Sequence, residues 1–195
     1  MSHVADKTFR DAPETSKAPI FASHSSCRAI SNVPRNMTDE MIVALAKKGG
    51  VIQINFDCGY LNPEAAAATV AQAAKMAPVT AELRKKYAND PEAQRKALQE
   101  ARREYADPRI RATLADVVKH INHVVDLAGI DAVGLGSDFD GVSCVPEELN
   151  GVDKWPNLTR ALLEEGYSRD DVLKIYGENT LRLMTQVQKV AASLK

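Results

Sequence analysis

Apolar runs and helical stripes follow one another along the chain with short polar breaks. Residues 17–23 (KAPIFAS) form a brief apolar run that opens after charge and stops at His24-Ser25-Ser26, the pattern of a strand emptying into a loop. Thr38 precedes Asp39 and Glu40, an N-cap with two acids at the positive end of a helix. That helix, DEMIVALAKK, ends at Gly49-Gly50, where glycine can turn left-handed. Residues 50–56 (GVIQINF) read as a second strand. Asn62-Pro63-Glu64 opens another helix, with proline at the first helical position, and AAAATVAQAAK continues it. Thr80 and Asp90-Pro91 are expected to open two further charged helical stretches, and Asp107-Pro108 ends the segment. Ile110, Leu114, Val117, Val118, Ile121, Val124, Val125 and Ala128 then recur on one face of a long helix that Gly129 closes. Residues 131–137 (DAVGLGS) make the third strand and run into Asp138-Phe139-Asp140-Gly141. Helices follow over 155–165, over 168–176 behind a Ser-x-x-Asp start, and from about Glu178 to the end.

Strand, helix, strand, helices, strand, helices is the order of a parallel α/β architecture, either a barrel or an open doubly wound sheet. No glycine-rich phosphate loop follows any strand, which weakens the nucleotide-binding version. A complete (β/α)8 barrel takes ~250 residues, and three strands cannot close one. The pattern therefore reads as an incomplete architecture, one partial domain over 1–195, with a helical insertion at about 62–106.

Composition narrows the function classes. The 195 residues are 45% hydrophobic and 26% charged, ordinary for a chain that buries a core. A net charge of -1 argues against a nucleic-acid surface. No apolar run reaches the ~18 residues that a membrane-spanning helix needs. The opening MSHVADKTFRD is polar and mixed in charge, unlike a signal peptide. Cys27, Cys58 and Cys144 lie far apart with no CxxC spacing, so reduced thiols and a cytoplasmic location are expected, and no histidine partner marks any of them as a nucleophile.

In parallel barrels the chemistry gathers at the C-terminal ends of strands. Those ends offer His24, then Asn55 and Asp57, then Asp138 and Asp140, with His3 where a preceding strand could have ended. Two histidines and a carboxylate on one rim suit zinc. The plain alternative is a frayed terminal histidine and an ordinary loop histidine. His120 and His123 lie three apart on a helix, but His123 points away from the apolar stripe and His120 to its side, so both are expected on a solvated face. Arg35, in the loop after His24, could clamp a carboxylate in two hydrogen bonds, or be surface charge. Asp138 and Asp140 could pair on a substrate or metal, or cap the next turn.

Four phrases change that balance: APIFASHSS, VPRNMTDEMIVALAKKGGVIQINF, GLGSDFDGV and YGENTLRLM, in this order. Together they resemble the membrane (renal) dipeptidase family, peptidase family M19, and the likeness runs from about Ser2 to the last helix. The resemblance implies the C-terminal half of a TIM-type (β/α)8 barrel, whose complete form surrounds two bridged zinc ions and hydrolyses dipeptides, often with a D residue on the C-terminal side. His3 and His24 fall on two histidines that ligate one zinc, Arg35 on the arginine that holds the substrate carboxylate, and Asp138 on the aspartate near the free amino group. The family's His-x-Asp motif, bridging glutamate and another substrate-binding histidine would lie before Met1, and no His-x-Asp occurs in this sequence. The expectation is a zinc metallodipeptidase portion holding at most a partial zinc site, inactive without a complementary N-terminal half, with a homodimer suggested by the resemblance alone. A non-catalytic remnant or half-barrel interaction module is the other reading.

Overall fold

A computed structural model describes residues 1–194. Its centre is a three-stranded parallel sheet in the order β1-β2-β3, with β1 at Phe21–Ala22, β2 at Val51–Ile54 and β3 at Val133–Leu135. Phe21 pairs with Val51, and Ile52, Gln53 and Ile54 pair with Val133, Gly134 and Leu135. The strands are shorter than their apolar runs, because the ladder continues irregularly past them. The Ser25 N–H donates to Gln53 O at 2.8 Å, that of Gly136 to Ile54 O at 3.0 Å, and that of Phe56 to Ser137 O at 3.4 Å.

Nine α-helices surround the sheet among the described residues. They are α1 (Asp6–Thr15), α2 (Asp39–Lys47), α3 (Cys58–Leu61), α4 (Pro63–Lys86), α5 (Pro91–Glu104), α6 (Leu114–Ala128), α7 (Trp155–Glu165), α8 (Arg169–Leu173) and α9 (Asn179–Ser193). Thr38 caps α2 through the Met41 N–H, and Ser168 with Asp171 forms the capping box of α8. One core joins Ile42 and Leu45 of α2, Ile52 and Ile54 of β2, Val117, Ile121 and Val124 of α6, and Leu158 and Leu162 of α7. Removing these side chains from water is the main force that seats α2, α6 and α7 on the sheet.

The helices depart from the sequence pattern in four places. The polar opening folds into α1, which buries only Phe9 and Pro13 and is tied down by a two-pronged Asp6–Arg28 ion pair at 2.8 and 2.9 Å. The long stripe begins helically at Leu114, not Ile110, because Thr113 and Asp116 form a capping box there. Between Asn62 and Lys86 there is one helix, not two: α4 passes through Pro78 and Thr80 on alanine-rich turns. Helices α8 and α9 are joined without a break by a π-helical turn, Lys174–Glu178. Helices α4 and α5 pack on each other and bury little else, only Ala65, Ala68 and Ala101.

Two expectations about single residues are overturned. Cys58 and Cys144 are not reduced thiols; they are joined in a disulfide whose Cα atoms lie 5.5 Å apart, an ordinary reach. Cysteines 86 positions apart share no local spacing that a sequence can display. The disulfide also removes the cysteine argument for a cytoplasmic location. Cys27 stays free, and burial pushes its thiol up, so it is inert rather than nucleophilic.

His120, expected on a solvated face, is fully buried. Its Nδ1 accepts the Cys27 N–H at 3.0 Å, and its Nε2–H donates to the Leu61 carbonyl at 3.0 Å. Both ring nitrogens are therefore occupied by backbone. Its neighbour His123 binds Asp39 at 2.8 Å and is partly exposed. Neither is free to act as a member of a metal-ligand pair.

Candidate functional site

The rim above the three strands is built by the ladder's continuation. The N-terminal segment docks beside it: the Met1 ammonium donates to Phe21 O, and the His24 N–H donates to Ser2 Oγ at 3.0 Å. Ser2 and Ser25 hydroxyls meet at 2.9 Å. These contacts carry His3, at φ +66°, to His24, and their Nε2 atoms lie 2.8 Å apart. His24 Nδ1 meets Ser23 Oγ at 2.7 Å, which orients the ring. Burial and the Arg35 charge hold His24 below the ordinary histidine value against the opposing pull of Asp138. A neutral imidazole at neutral pH is the form that can ligate a metal.

Arg35 arrives from a loop closed by a bridge between Cys27 and Met37. Buried Asn36 pins that loop, donating to the carbonyls of Ser31 at 2.9 Å and Tyr60 at 2.8 Å. The guanidinium donates to His24 O at 2.6 Å, to Ser25 Oγ at 3.0 Å and to His3 Nε2 at 3.1 Å, and lies over the Tyr60 ring. His3 Nε2 is thus an acceptor whose one lone pair is engaged by the arginine. Partial burial lowers the Arg35 pKa, countered by Tyr60, Asp138 and Asp57; an arginine remains charged regardless.

Asp138 follows the third strand in a left-handed conformation, φ +61°, which aspartate tolerates better than most residues. A side chain on Gly141 would place its Cβ 2.2 Å from Asp138 Oδ1, so a larger residue where the loop folds back would displace the carboxylate. The fully buried Asn55 amide donates to Asp138 Oδ2 at 3.0 Å, and its oxygen accepts the Asp57 N–H at 2.7 Å. Asp57 itself caps α3 through the Gly59 N–H, with burial raising its pKa against that hydrogen bond. The rim thus gathers His3, His24, Arg35 and Asp138, while Asp140 is exposed. In the sequence Asn55 stands at a strand end with no role attached to it. Its place as the buried link between the second and third strand ends had one signal, an amide set between Ile54 and Phe56 where the strand ends.

The family model for Membrane dipeptidase (Peptidase family M19) matches residues 1–195. The chain belongs to this family. It is 33% identical over 195 residues to the dipeptidase tcpJ of Claviceps purpurea, covering 100% of this chain and 36% of that protein. It is 32% identical over 191 residues to the dipeptidase ataJ of Aspergillus terreus, covering 98% and 36%. It therefore spans about a third of the length of these curated relatives. Among solved structures, the probable dipeptidase PvdM from Pseudomonas aeruginosa superposes with a TM-score of 0.77 at 29% identity, over 97% of this chain and 50% of that one. A metallo peptidase from Rhodobacter sphaeroides, liganded with a phosphinate mimic of the dipeptide L-Ala-D-Ala, gives a TM-score of 0.68 at 25% identity, over 95% and 41%. These likenesses support an α/β fold with parallel strands.

Do the residues fit a metal? Two imidazole nitrogens facing each other at 2.8 Å offer two ligands to one ion after a small opening. Zinc sites use three or four protein ligands, and no group of three or more His, Cys, Asp or Glu suited to a metal occurs among the described residues. The fit is that of part of a site. No helix among the described residues is long and apolar enough to cross a membrane.

Proposed function

We propose that this chain is the C-terminal half of a (β/α)8 zinc dipeptidase, contributing two metal ligands and both charge-reading groups to a site completed by an N-terminal half. The observation that carries the reading is the convergence of His3, His24, Arg35 and Asp138 on one strand-end rim from three separate loops. The half-barrel is supported by strands in consecutive parallel order, leaving β1 and β3 at the sheet's edges. Leu181 and Met184 of α9, each more than half exposed, add an apolar face suited to burial against more protein.

His3 and His24 would hold the zinc with ligands from the other half. Bound zinc supplies a water acidic enough to act as hydroxide near neutral pH. This chain's own residues do the measuring. Arg35 presents a fork of donors that matches a carboxylate, and would release His3 Nε2 to a metal and turn to the substrate's C-terminal end. Asp138, held by Asn55, faces the free ammonium. A cation and an anion on one rim would admit a dipeptide with its two charged ends and reject a longer chain, which lacks a charge at one position.

The test is complementation. The 195-residue chain alone is expected to bind zinc weakly and to leave Ala-D-Ala intact; mixed or co-expressed with an N-terminal half, it gains zinc-dependent hydrolysis. In that complex Arg35→Ala raises KM by about a hundredfold, the size of a lost charge-assisted pair. Zinc-dependent turnover by the chain alone overturns the partial-site reading. An Arg35→Ala complex with unchanged KM removes Arg35 from substrate recognition.

A further inference from the structure

The loop that carries Asp138 is fastened at two points to the segment that follows β2. One is the Asn55–Asp138 hydrogen bond at 3.0 Å. The other lies at the loop's far end, where the Cys58 N–H donates to Cys144 O at 3.1 Å and the two side chains form the disulfide. Between these points the loop has no regular structure and only one turn bond, from the Gly141 N–H to Asp138 O at 2.9 Å. Phe139 packs edge-on against Phe56 at 6.0 Å between ring centres, so the loop rests on the core without being part of a helix or strand. The left-handed backbone at Asp138 persists only while its surroundings hold it.

We infer that the Cys58–Cys144 disulfide is a positioning device for Asp138, and that a thiol–disulfide change at this bond controls how well the loop presents its carboxylate. The functional consequence rests on the reading of Asp138 as a substrate-binding residue. Cys58 is fully buried and Cys144 partly exposed, so an incoming thiol reaches the bond from the Cys144 side. In the exchange, a dithiol reductant gives two electrons and two protons to the S–S bond. Cys58 and Cys144 become thiols, and the reductant closes its own disulfide. Buried Cys27 is no competitor, because its raised pKa leaves little thiolate to rescramble the pair.

The experiment is thiol counting combined with hydrogen–deuterium exchange on the 195-residue chain, before and after a phosphine reductant, with a C58S/C144S chain in parallel. Denatured without reduction, the chain is expected to show one titratable thiol, Cys27, of its three cysteines. Reduction of the folded chain should speed exchange in 137–146 by on the order of tenfold while β2 and α6 keep their protection, since local opening needs less free energy than global unfolding. C58S/C144S should match the reduced chain. Three thiols in the unreduced chain, or unchanged exchange in 137–146, overturn the proposal. Loss of protection throughout also overturns it, because the bond would then staple the whole fold. If that variant does not fold, reduction of the already folded chain decides alone. In the complemented complex, reduction should raise KM for a dipeptide more than it lowers kcat. Faster local exchange with no turnover under any condition would keep the latch and discard the dipeptidase reading, so the two failures are distinct.

Discussion

Gly136→Ala is expected to destabilise the fold by about 3 kcal/mol or more and to dismantle the rim, because the strand ends approach too closely for a methyl group. An added Cβ would lie 2.1 Å from Ser23 O, 2.9 Å from Gln53 Cβ and 3.1 Å from His24 Cα. Two of these three are backbone atoms of the segment that carries His24, and backbone cannot step aside as a side-chain tip can. Either β3 moves away from β2, breaking the bond from the Gly136 N–H to Ile54 O, or residues 23–24 lift and take His24 from His3. Gly134 supplies the control on the same strand. Its added Cβ would meet mainly the Gln53 side chain, at 3.1 Å, which can turn. Gly134→Ala should therefore cost little. Urea unfolding separates them: Gly136→Ala lowers the midpoint by about 1.5 M and Gly134→Ala by a small fraction of that. Equal midpoints would mean that the strand ends have room to relax.

That close approach marks the limit of what the sequence displayed. Elements were legible where local chemistry fixes them. Thr38 and Ser168 announce their helices by capping, Pro63 by its fixed φ, and Gly129 by closing α6 at φ +85°. The rim was legible as positions, because strand ends bring His24, Asn55, Asp57 and Asp138 to one side. Their partners were not. Asn55 reaches Asp138 across 83 residues, His120 reaches Cys27 across 93, and Cys58 reaches Cys144 across 86. None of these pairs leaves a periodicity, since each depends on how the helices and strands stack rather than on how any one forms. Helix α1 shows the converse. Its sequence is too polar for a core stripe, and Arg28, far along the chain, supplies the anchor its own pattern lacks.

His120 shows that a residue placed beside an apolar stripe can be decided by what closes over it, and it sets the chain's response to acid. Its buried ring is held down to about 4, mainly by desolvation, against an ordinary value of 6.5. In the unfolded chain the same ring takes a proton below about pH 6.5. The folded pKa is the lower one, so the contribution is complete above pH 6.5, falls as pH drops toward 4, and levels off below that. Across this window the loss is about 3 kcal/mol, following from the gap between the two pKa values. Protonation also adds a hydrogen to Nδ1, where the Cys27 N–H already donates, so the contact turns repulsive. The consequence reaches the rim, because Cys27 opens the loop that delivers Arg35. Urea unfolding of the chain and of His120→Gln between pH 7 and pH 4 measures this. An amide cannot titrate, so the stability difference between the two should shrink as pH falls. His120→Ala should cost about 3–5 kcal/mol at pH 7, through a cavity and two backbone groups left unpaired. Parallel curves for the chain and His120→Gln would place the acid response elsewhere.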